Sequence, residues 1–340
     1  MDINMAVLGT GATGSSIGAD LTRAGYHVIL IDQWPAHVEA MKAHGLHVSI
    51  RGGEERHTPV QAFHLCEVSA MRPQLDIVFL ASKSYDTCWM VEFIKPYLKP
   101  EGILVSVQNS LNDEWIAPMI GHHRDIACAF ELSSGIVEPG KVKRRTDLVT
   151  TKFIVGELHG RITPRLQEVA KILSSVGKTV VSTNIWGAKW TKLVFNTMAC
   201  LDVITGISDA ELVERPGILE IPTKIARETA TVGTALGYTL EPILGLTAED
   251  FLGLTDEVFK KLFLNLFADL GKEAQSMSLR DILNGRRTEV DYLNGLVVTK
   301  GQEVKVPTPL NAAVTSIVRQ IELGALKLDI SNLKLLEQAV

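Results

Sequence analysis

Cationic residues are not in excess in this chain: 34 Lys and Arg stand against 39 Asp and Glu, a net charge of -5. A nucleic-acid-binding face needs a basic surplus, so no nucleic-acid partner is expected. The one local basic run, Lys141-Val142-Lys143-Arg144-Arg145, reads as the solvated tip of a hairpin. Cysteine is scarce, with four residues at 66, 88, 128 and 200 and no CxxC pair. That excludes a disulfide framework and points to reduced thiols in a cytoplasmic protein. No apolar run approaches the roughly 18 residues of a spanning helix. The opening Met1-Asp2-Ile3-Asn4-Met5 lacks a basic n-region, so neither a membrane nor a signal peptide is expected. HExxH is also absent, and the adjacent His122 and His123 would point apart, so no metal is expected.

What is present is a periodic pattern that changes character half-way. Apolar residues form 46% of the 340 residues, enough for two domains with cores of their own. Continuous apolar runs at 5–8, 28–31, 76–81, 103–107 and 126–130 read as strands buried on both faces. A helix is expected over 15–24, and antiparallel strands around a turn at Pro139-Gly140. A helix over 164–175 and a strand over 179–182 would complete the first domain. After about Ile185 strand signals nearly vanish. Helices are expected over 189–202, 255–271, 274–300 (with Asn284-Gly285 as a potential break) and 310–323. The stripe Val258, Phe259, Leu262, Phe263, Leu266, Phe267 and Leu270 is core-facing, with a homodimer seam as the lesser option. The expected fold class is α/β: a Rossmann-type doubly wound sheet over 1–185, then an all-helical domain over 186–340.

Gly9-Thr10-Gly11-Ala12-Thr13-Gly14 directly follows the first strand and opens a helix. In that context GxGxxG is a dinucleotide turn. Gly9 permits the tight bend, Gly11 lets backbone approach a pyrophosphate, and Gly14 lets helix pack on strand. Free N–H groups at the helix start then hold the phosphates. Asp32 ends the second strand, 18 residues past Gly14. Its carboxylate accepts from ribose hydroxyls and repels a 2′-phosphate, and Gln33-Trp34-Pro35 supplies no arginine for one. NAD is therefore expected rather than NADP. Trp34 either flanks the adenine or packs locally.

A second site is suggested by Lys192, Asn196 and Cys200, which fall at i, i+4 and i+8 on one face of a helix. Lys192 sits among Trp186, Trp190, Leu193, Val194 and Phe195, a poor setting for a merely solvated ammonium. Glu289 lies downstream in a helical pattern; alone, it would read as a solvated carboxylate.

These residues belong to ordered blocks that resemble the ketopantoate reductase (2-dehydropantoate 2-reductase) family. The blocks are the glycine turn, Ala81-Ser82-Lys83-Ser84, Gln108-Asn109-Ser110-Leu111, Trp190-Thr191-Lys192-Leu193-Val194-Phe195-Asn196, Arg287-Thr288-Glu289-Val290-Asp291-Tyr292-Leu293-Asn294-Gly295, and Val306-Pro307-Thr308-Pro309 before Asn311. The resemblance covers nearly the whole chain. It implies a Rossmann domain plus a helical domain with the active site in a cleft between them. It also implies that Lys192 is the catalytic lysine and Glu289 its acidic partner, that Lys83 and Asn109 line the nicotinamide end, and that Asn196 faces the substrate. The chemistry agrees, since an ammonium stabilises the alkoxide that forms when a ketone accepts hydride and then gives it a proton.

Three positions depart from the family pattern. Cys200 stands where a second asparagine is usual, Met277 where a carboxylate-binding serine is usual, and Ala274 where a further asparagine is usual. A one-residue shift would let Ser276 or Ser278 serve instead. Losing several polar contacts points away from a small hydroxy-keto acid and toward a bulkier or more apolar ketone. The expected activity is NAD-linked hydride transfer between nicotinamide and a 2-oxo acid/2-hydroxy acid or related ketone. Reduction of ketopantoate itself and a non-catalytic NAD sensor are the alternatives.

Overall fold

The computed structural model describes residues 3–242, 255–268 and 275–339. It divides into two compact units, Met1–Ile185 and Trp186–Val340. The first carries strands β1 (Met5–Leu8), β2 (Val28–Asp32), β3 (Leu46–Ile50), β4 (Glu54–Thr58), β5 (Gln61–His64), β6 (Leu75–Leu80), β7 (Leu98–Ser106), β8 (Asp125–Glu131), β9 (Ser134–Glu138), β10 (Lys141–Arg144), β11 (Lys152–Glu157) and β12 (Lys178–Val181). Its helices are α1 (Ala12–Arg23), α2 (Pro35–His44), α3 (Leu65–Met71), α4 (Thr87–Ile94), α5 (Asp113–Ile120) and α6 (Pro164–Leu173).

Eight strands form one sheet in the order β12-β11-β8-β7-β6-β1-β2-β5. β1 pairs in parallel with both β2 and β6. Met5 and Val7 enter one apolar core and Ala6 and Leu8 the other, which is why this strand is a continuous apolar run. The expected Rossmann-type sheet is thus present. β11 runs antiparallel to β8 and closes that side with β12.

A second sheet, ordered β4-β3-β10-β9, is not expected from the sequence except for its β9–β10 hairpin. β3 is buried on one face only and β4, Glu54-Glu55-Arg56-His57-Thr58, is mostly exposed; neither is a buried apolar run. The basic segment at 141–145 is a correction. Arg144 is not at a solvated tip but buried in β10, where its guanidinium pairs with Asp20 and donates to Thr151 Oγ1 at 2.7 Å and the Val176 carbonyl at 3.0 Å. The alternation in β10 turns Lys141 and Lys143 outward and Val142 and Arg144 inward.

The second unit is helical among its described residues. α7 (Ile185–Met198) leads into it, followed by α8 (Leu201–Thr205), α9 (Asp209–Leu212), α10 (Glu220–Ala235), α11 (Asp256–Ala268), α12 (Met277–Leu283), α13 (Asn294–Val304), α14 (Pro309–Glu322) and α15 (Leu333–Glu337). Trp190 locks α7 onto α10: it is fully buried, donates to the Thr229 carbonyl at 2.9 Å, and lies where a side chain at Gly233 would collide with it. The single helix expected over 189–202 is two. α7 stops at Met198, and α8 begins afresh because Asp209 Oδ1 accepts from the Asp202 N–H at 3.0 Å, supplying a partner for its first turn. The stretch expected as one helix over 274–300 breaks at Gly285, which takes a positive φ of 63°. Of the α11 stripe, Phe259, Leu262 and Phe263 are buried core. The side chains of Leu266 and Phe267, and Leu270 itself, lie outside the described residues.

Removing Arg144 leaves the buried Asp20 carboxylate with Arg56, 3.2 Å away, as its remaining cationic partner, and empties the space that the fully buried Arg144 side chain fills. Arg144→Ala is expected to lower unfolding free energy by about 2–4 kcal/mol, from the lost buried bonds and the cavity together. Urea titration checks it, and a loss under about 1 kcal/mol would restore the solvated reading.

Candidate active site

The chain moves outward from β1 to β2 on one side, then returns to β6 and moves outward through β7 and β8 on the other. The carboxyl ends of β1 and β6 therefore flank a topological switch point, the place where open α/β sheets bind ligands. The cofactor residues expected from the sequence collect along this edge. Gly9–Gly14 follow β1, Asp32 ends β2, Lys83 follows β6 and Asn109 follows β7.

Steric requirements in the glycine turn differ from residue to residue. Gly9 has φ of 85°, and a Cβ there would lie 2.8 Å from the Ser82 N atom. A Cβ on Gly14 would lie 2.3 Å from the Gly9 carbonyl oxygen. Both glycines are demanded by the protein's own packing. Gly11 is different: φ is -59°, and a Cβ would meet nothing within 4 Å among the described residues. A ligand brought against the backbone is the reason the motif gives for glycine at that position. Gly11 is also the N-cap of α1, with no side-chain cap and no acidic residue in the first turn. Ala12 and Thr13 open that helix, so their N–H groups can meet a pyrophosphate. These residues fit a dinucleotide.

The side chains around the turn are fixed. Thr10 is buried and donates from Oγ1 to Asp32 Oδ2 at 3.2 Å, while the Trp34 N–H donates to Oδ1 at 2.8 Å. Asp32 is thereby held at the end of β2, where ribose hydroxyls can donate to its remaining lone pairs. Trp34 stacks on His37 with centroids 5.4 Å apart. His37 accepts at Nδ1 from the Gly140 N–H at 3.0 Å, which leaves its Nε2–H to donate to Ser15 Oγ at 3.0 Å. The loops after β6 and β7 are tied together by residues that carry no signal of this role in the sequence. Gln108 Nε2 donates to the Ser82 carbonyl at 3.0 Å and to Thr87 Oγ1 at 2.9 Å, and Asn112 Nδ2 donates to Ser84 Oγ at 3.1 Å. Glu131 pairs with Lys152 at 3.4 Å across β8 and β11.

In the second unit Lys192 and Asn196 lie one turn apart on α7, with the Lys192 Nζ 4.6 Å from the Phe195 ring centroid. Cys200 does not continue that helix face; it is the N-cap of α8. It nevertheless meets Asn196 in a small recess, lined also by Ala199, Val203, Ser278, Val290, Leu293, Asn294, Val314 and Val318. Ser278 is the serine in that wall, whereas Met277 is largely exposed and outside it. Ser276 caps α12, its Oγ accepting from the Leu279 N–H at 3.1 Å. Glu289 is not on a helix but caps a 3-10 turn, Val290–Tyr292, and is 4% exposed rather than solvated. Ala274 lies outside the described residues. The blocks around 294 and 311 are structural: Asn294 donates to the Thr197 carbonyl and Asn311 Oδ1, and Asn311 Nδ2 donates to Glu228, joining α7, α13, α14 and α10.

Beneath the recess lies a buried acid pair. Asp202 Oδ2 accepts from the Ser276 N–H at 2.6 Å, while Asp202 Oδ1 and Asp209 Oδ2 have no partner among the described residues. Burial pushes the Asp202 carboxyl up to about 6, and burial together with the Asp202 charge pushes Asp209 well above its ordinary value. Burial and these two acids also raise the Cys200 thiol, which is neutral and no nucleophile.

Residues 5–159 match the family described as "Ketopantoate reductase PanE/ApbA" and residues 184–322 its C-terminal counterpart. The chain belongs to the ketopantoate reductase family. Among curated relatives, the 2-dehydropantoate 2-reductase of Archaeoglobus fulgidus is 28% identical, covering 94% of this chain and 97% of its own. That of Lactococcus lactis is 27% identical, covering 94% and 98%. A PanE/ApbA family ketopantoate reductase from Ralstonia eutropha superposes with TM-score 0.79 at 26% identity, covering 95% and 99%. A D-mandelate dehydrogenase solved with NADH and anilino(oxo)acetate superposes with TM-score 0.82 at 25% identity, also covering 95% and 99%. This family member is a nicotinamide-dependent oxidoreductase acting on a CH–OH group. No helix among its described residues is long and apolar enough to cross a membrane.

Two outcomes follow. Gly11→Ala is expected to weaken NADH binding at least about tenfold by crowding the phosphates, at under about 1 kcal/mol in stability because no protein atom is met. Titration of NADH fluorescence with parallel urea unfolding checks this, and unchanged binding would count against the turn. Separately, an acid whose folded pKa is raised loses stability as pH climbs from its unfolded value, 3.8 for Asp202, through about 6. Asp202→Asn removes that titration and keeps an acceptor for Ser276. Relative to wild type the variant should gain up to about 3 kcal/mol between pH 4 and pH 7. A difference that stays constant with pH contradicts the assignment.

Proposed function

We propose that this enzyme is an NAD-linked reductase or dehydrogenase that interconverts 2-oxo acids and 2-hydroxy acids bearing apolar side chains. The observation that carries the reading is the recess beside Asn196. Two amides, one serine hydroxyl and a neutral thiol sit among Ala199, Val203, Val290, Leu293, Val314 and Val318, and the Asn294 amide nitrogen already donates to the Thr197 carbonyl and Asn311 Oδ1. The recess holds about 10 Å³, room for a single water, so a substrate rests against this wall rather than inside it; a wall of that kind offers few donors to a hydroxylated substrate and favours an apolar one. The similarity to a D-mandelate dehydrogenase bound to NADH supports both the substrate class and the cofactor. Asp32, held by Thr10 and Trp34 at the end of β2, supports NAD as the cofactor.

The bound nicotinamide supplies hydride to the carbonyl carbon. Lys192 stabilises the negative charge that grows on the carbonyl oxygen and delivers a proton to it; in the oxidative direction the neutral amine takes that proton back. Glu289, buried at the start of its turn, is the acidic partner that favours the charged lysine. Asn196 orients the substrate, Cys200 and Ser278 line its side, and Ser276 fixes the first turn of α12. Lys83 and Asn109 position the nicotinamide half of the cofactor. The first unit serves as the NAD(P)-binding domain and the second as the substrate domain.

A second reading keeps ketopantoate as substrate. It is favoured by Ser278, which stands in the recess one residue from the expected serine position, and by relatives that carry that activity. A panel of 2-oxo acids assayed with NADH and NADPH separates the two. The first reading expects the highest kcat/KM with a larger apolar side chain and NADH; a ketopantoate value above all others establishes the second. On the best substrate Lys192→Ala should lose about 10²–10⁴-fold in kcat. Full turnover by that variant would remove Lys192 from the mechanism.

A further inference from the structure

Asp32 is not the only carboxylate beside the expected adenosine position. Asp86 lies at the end of the short turn Ser84–Asp86 after β6, on the same carboxyl edge of the sheet. Its Oδ2 accepts from Gln33 Nε2 at 3.0 Å. Its Oδ1 accepts from the Trp89 indole N–H at 2.8 Å. The carboxylate is thus held by two donors and linked to the residue that immediately follows Asp32. In dinucleotide folds, the residues just past the end of the second strand are the ones that meet a 2′-phosphate when NADP is bound, with an arginine supplying the charge. Here that residue is a neutral amide whose donor group is already engaged by an anion.

We propose that Asp86, acting through Gln33, is a second determinant of NAD over NADP: it places a negative charge beside the adenosine ribose and engages the side chain at position 33. The inference rests on the cofactor reading above and deepens it. Its physical content is twofold. A 2′-phosphate carries about -1.5 to -2 charges, so Asp32 and Asp86 both repel it. Any cation introduced at position 33 would also pair with Asp86 before it could meet a phosphate. Replacing the glutamine alone therefore does not convert the site.

Dissociation constants for NADH and NADPH, measured by nucleotide fluorescence on wild type, Asp86→Asn, Gln33→Arg and the double variant, test this. Asp86→Asn preserves the shape of the side chain: its amide oxygen keeps the Trp89 indole bond, and its amide nitrogen donates to the Gln33 side-chain oxygen once that amide is turned over, so the main change is the loss of charge. Asp86→Asn should tighten NADPH about fivefold at low salt with NADH changed less than about twofold, and the gain should shrink at high salt. Gln33→Arg alone should gain little. The double variant should exceed the product of the single effects by about threefold or more, the coupling expected when one residue sequesters the other. Unchanged NADPH affinity in Asp86→Asn, or single effects that simply multiply, would overturn the proposal. Wild type binding NADPH as tightly as NADH would instead overturn the NAD preference, while the Asp86→Asn comparison still reads the role of Asp86. A wild type that binds neither nucleotide overturns both.

Discussion

The backbone of Gly9 lies so close to Ser82 that no side chain fits between them, and the rest of the cofactor edge depends on that approach. It brings the loop after β6 against the loop after β1 at the switch point of the sheet. Gln108 then ties Ser82 to the loop after β7, and Thr10 reaches sideways to Asp32 after β2. Four strand ends are joined by contacts that each require a particular small or polar residue. The first turn of α1 is left with backbone donors and no side-chain cap among the described residues, an arrangement that suits an anion.

The helical unit follows a different logic. Lys192 and Asn196, the residues proposed to face substrate, stand on an element fixed by burial at its base: Trp190 against Gly233 and Thr229 holds α7 in place. The Asn294–Asn311–Glu228 network ties the same helix to three others. Family resemblance in these blocks therefore records two demands at once. Some residues carry chemistry, and others, Asn294 and Asn311 among them, are polar glue inside a core and must be satisfied there.

Much of this was legible in the residues. Strands buried on both faces announce themselves as apolar runs, so β1, β2, β6, β7 and β8 and the parallel sheet were readable. So was the glycine turn, because strand and helix flank it. The small sheet was not: β3 alternates and β4 is charged, patterns that a surface loop shares. Arg144 misled for the same reason, because charge on one face of a strand looks like a basic run when the alternation with the other face is ignored. The end of α7 was hidden by a long-range cause. Asp209 captures the Asp202 N–H, and nothing local in Met198-Ala199-Cys200 signals a break. Glu289 taken alone reads as solvated, because burial of a lone carboxylate depends on partners distant in the chain; the resemblance, not the local pattern, singles it out.

The reaction proposed is hydride transfer from a nicotinamide bound at the sheet edge to the carbonyl carbon of an apolar 2-oxo acid. Single-turnover reaction with NADH deuterated at C4, in each of its two stereochemical forms, reads this directly by mass spectrometry of the product. One of the two forms should deliver deuterium to C2 of the hydroxy acid, and the other should deliver hydrogen. Tight NADH binding with no label transferred to any 2-oxo acid, from either form, would contradict the account.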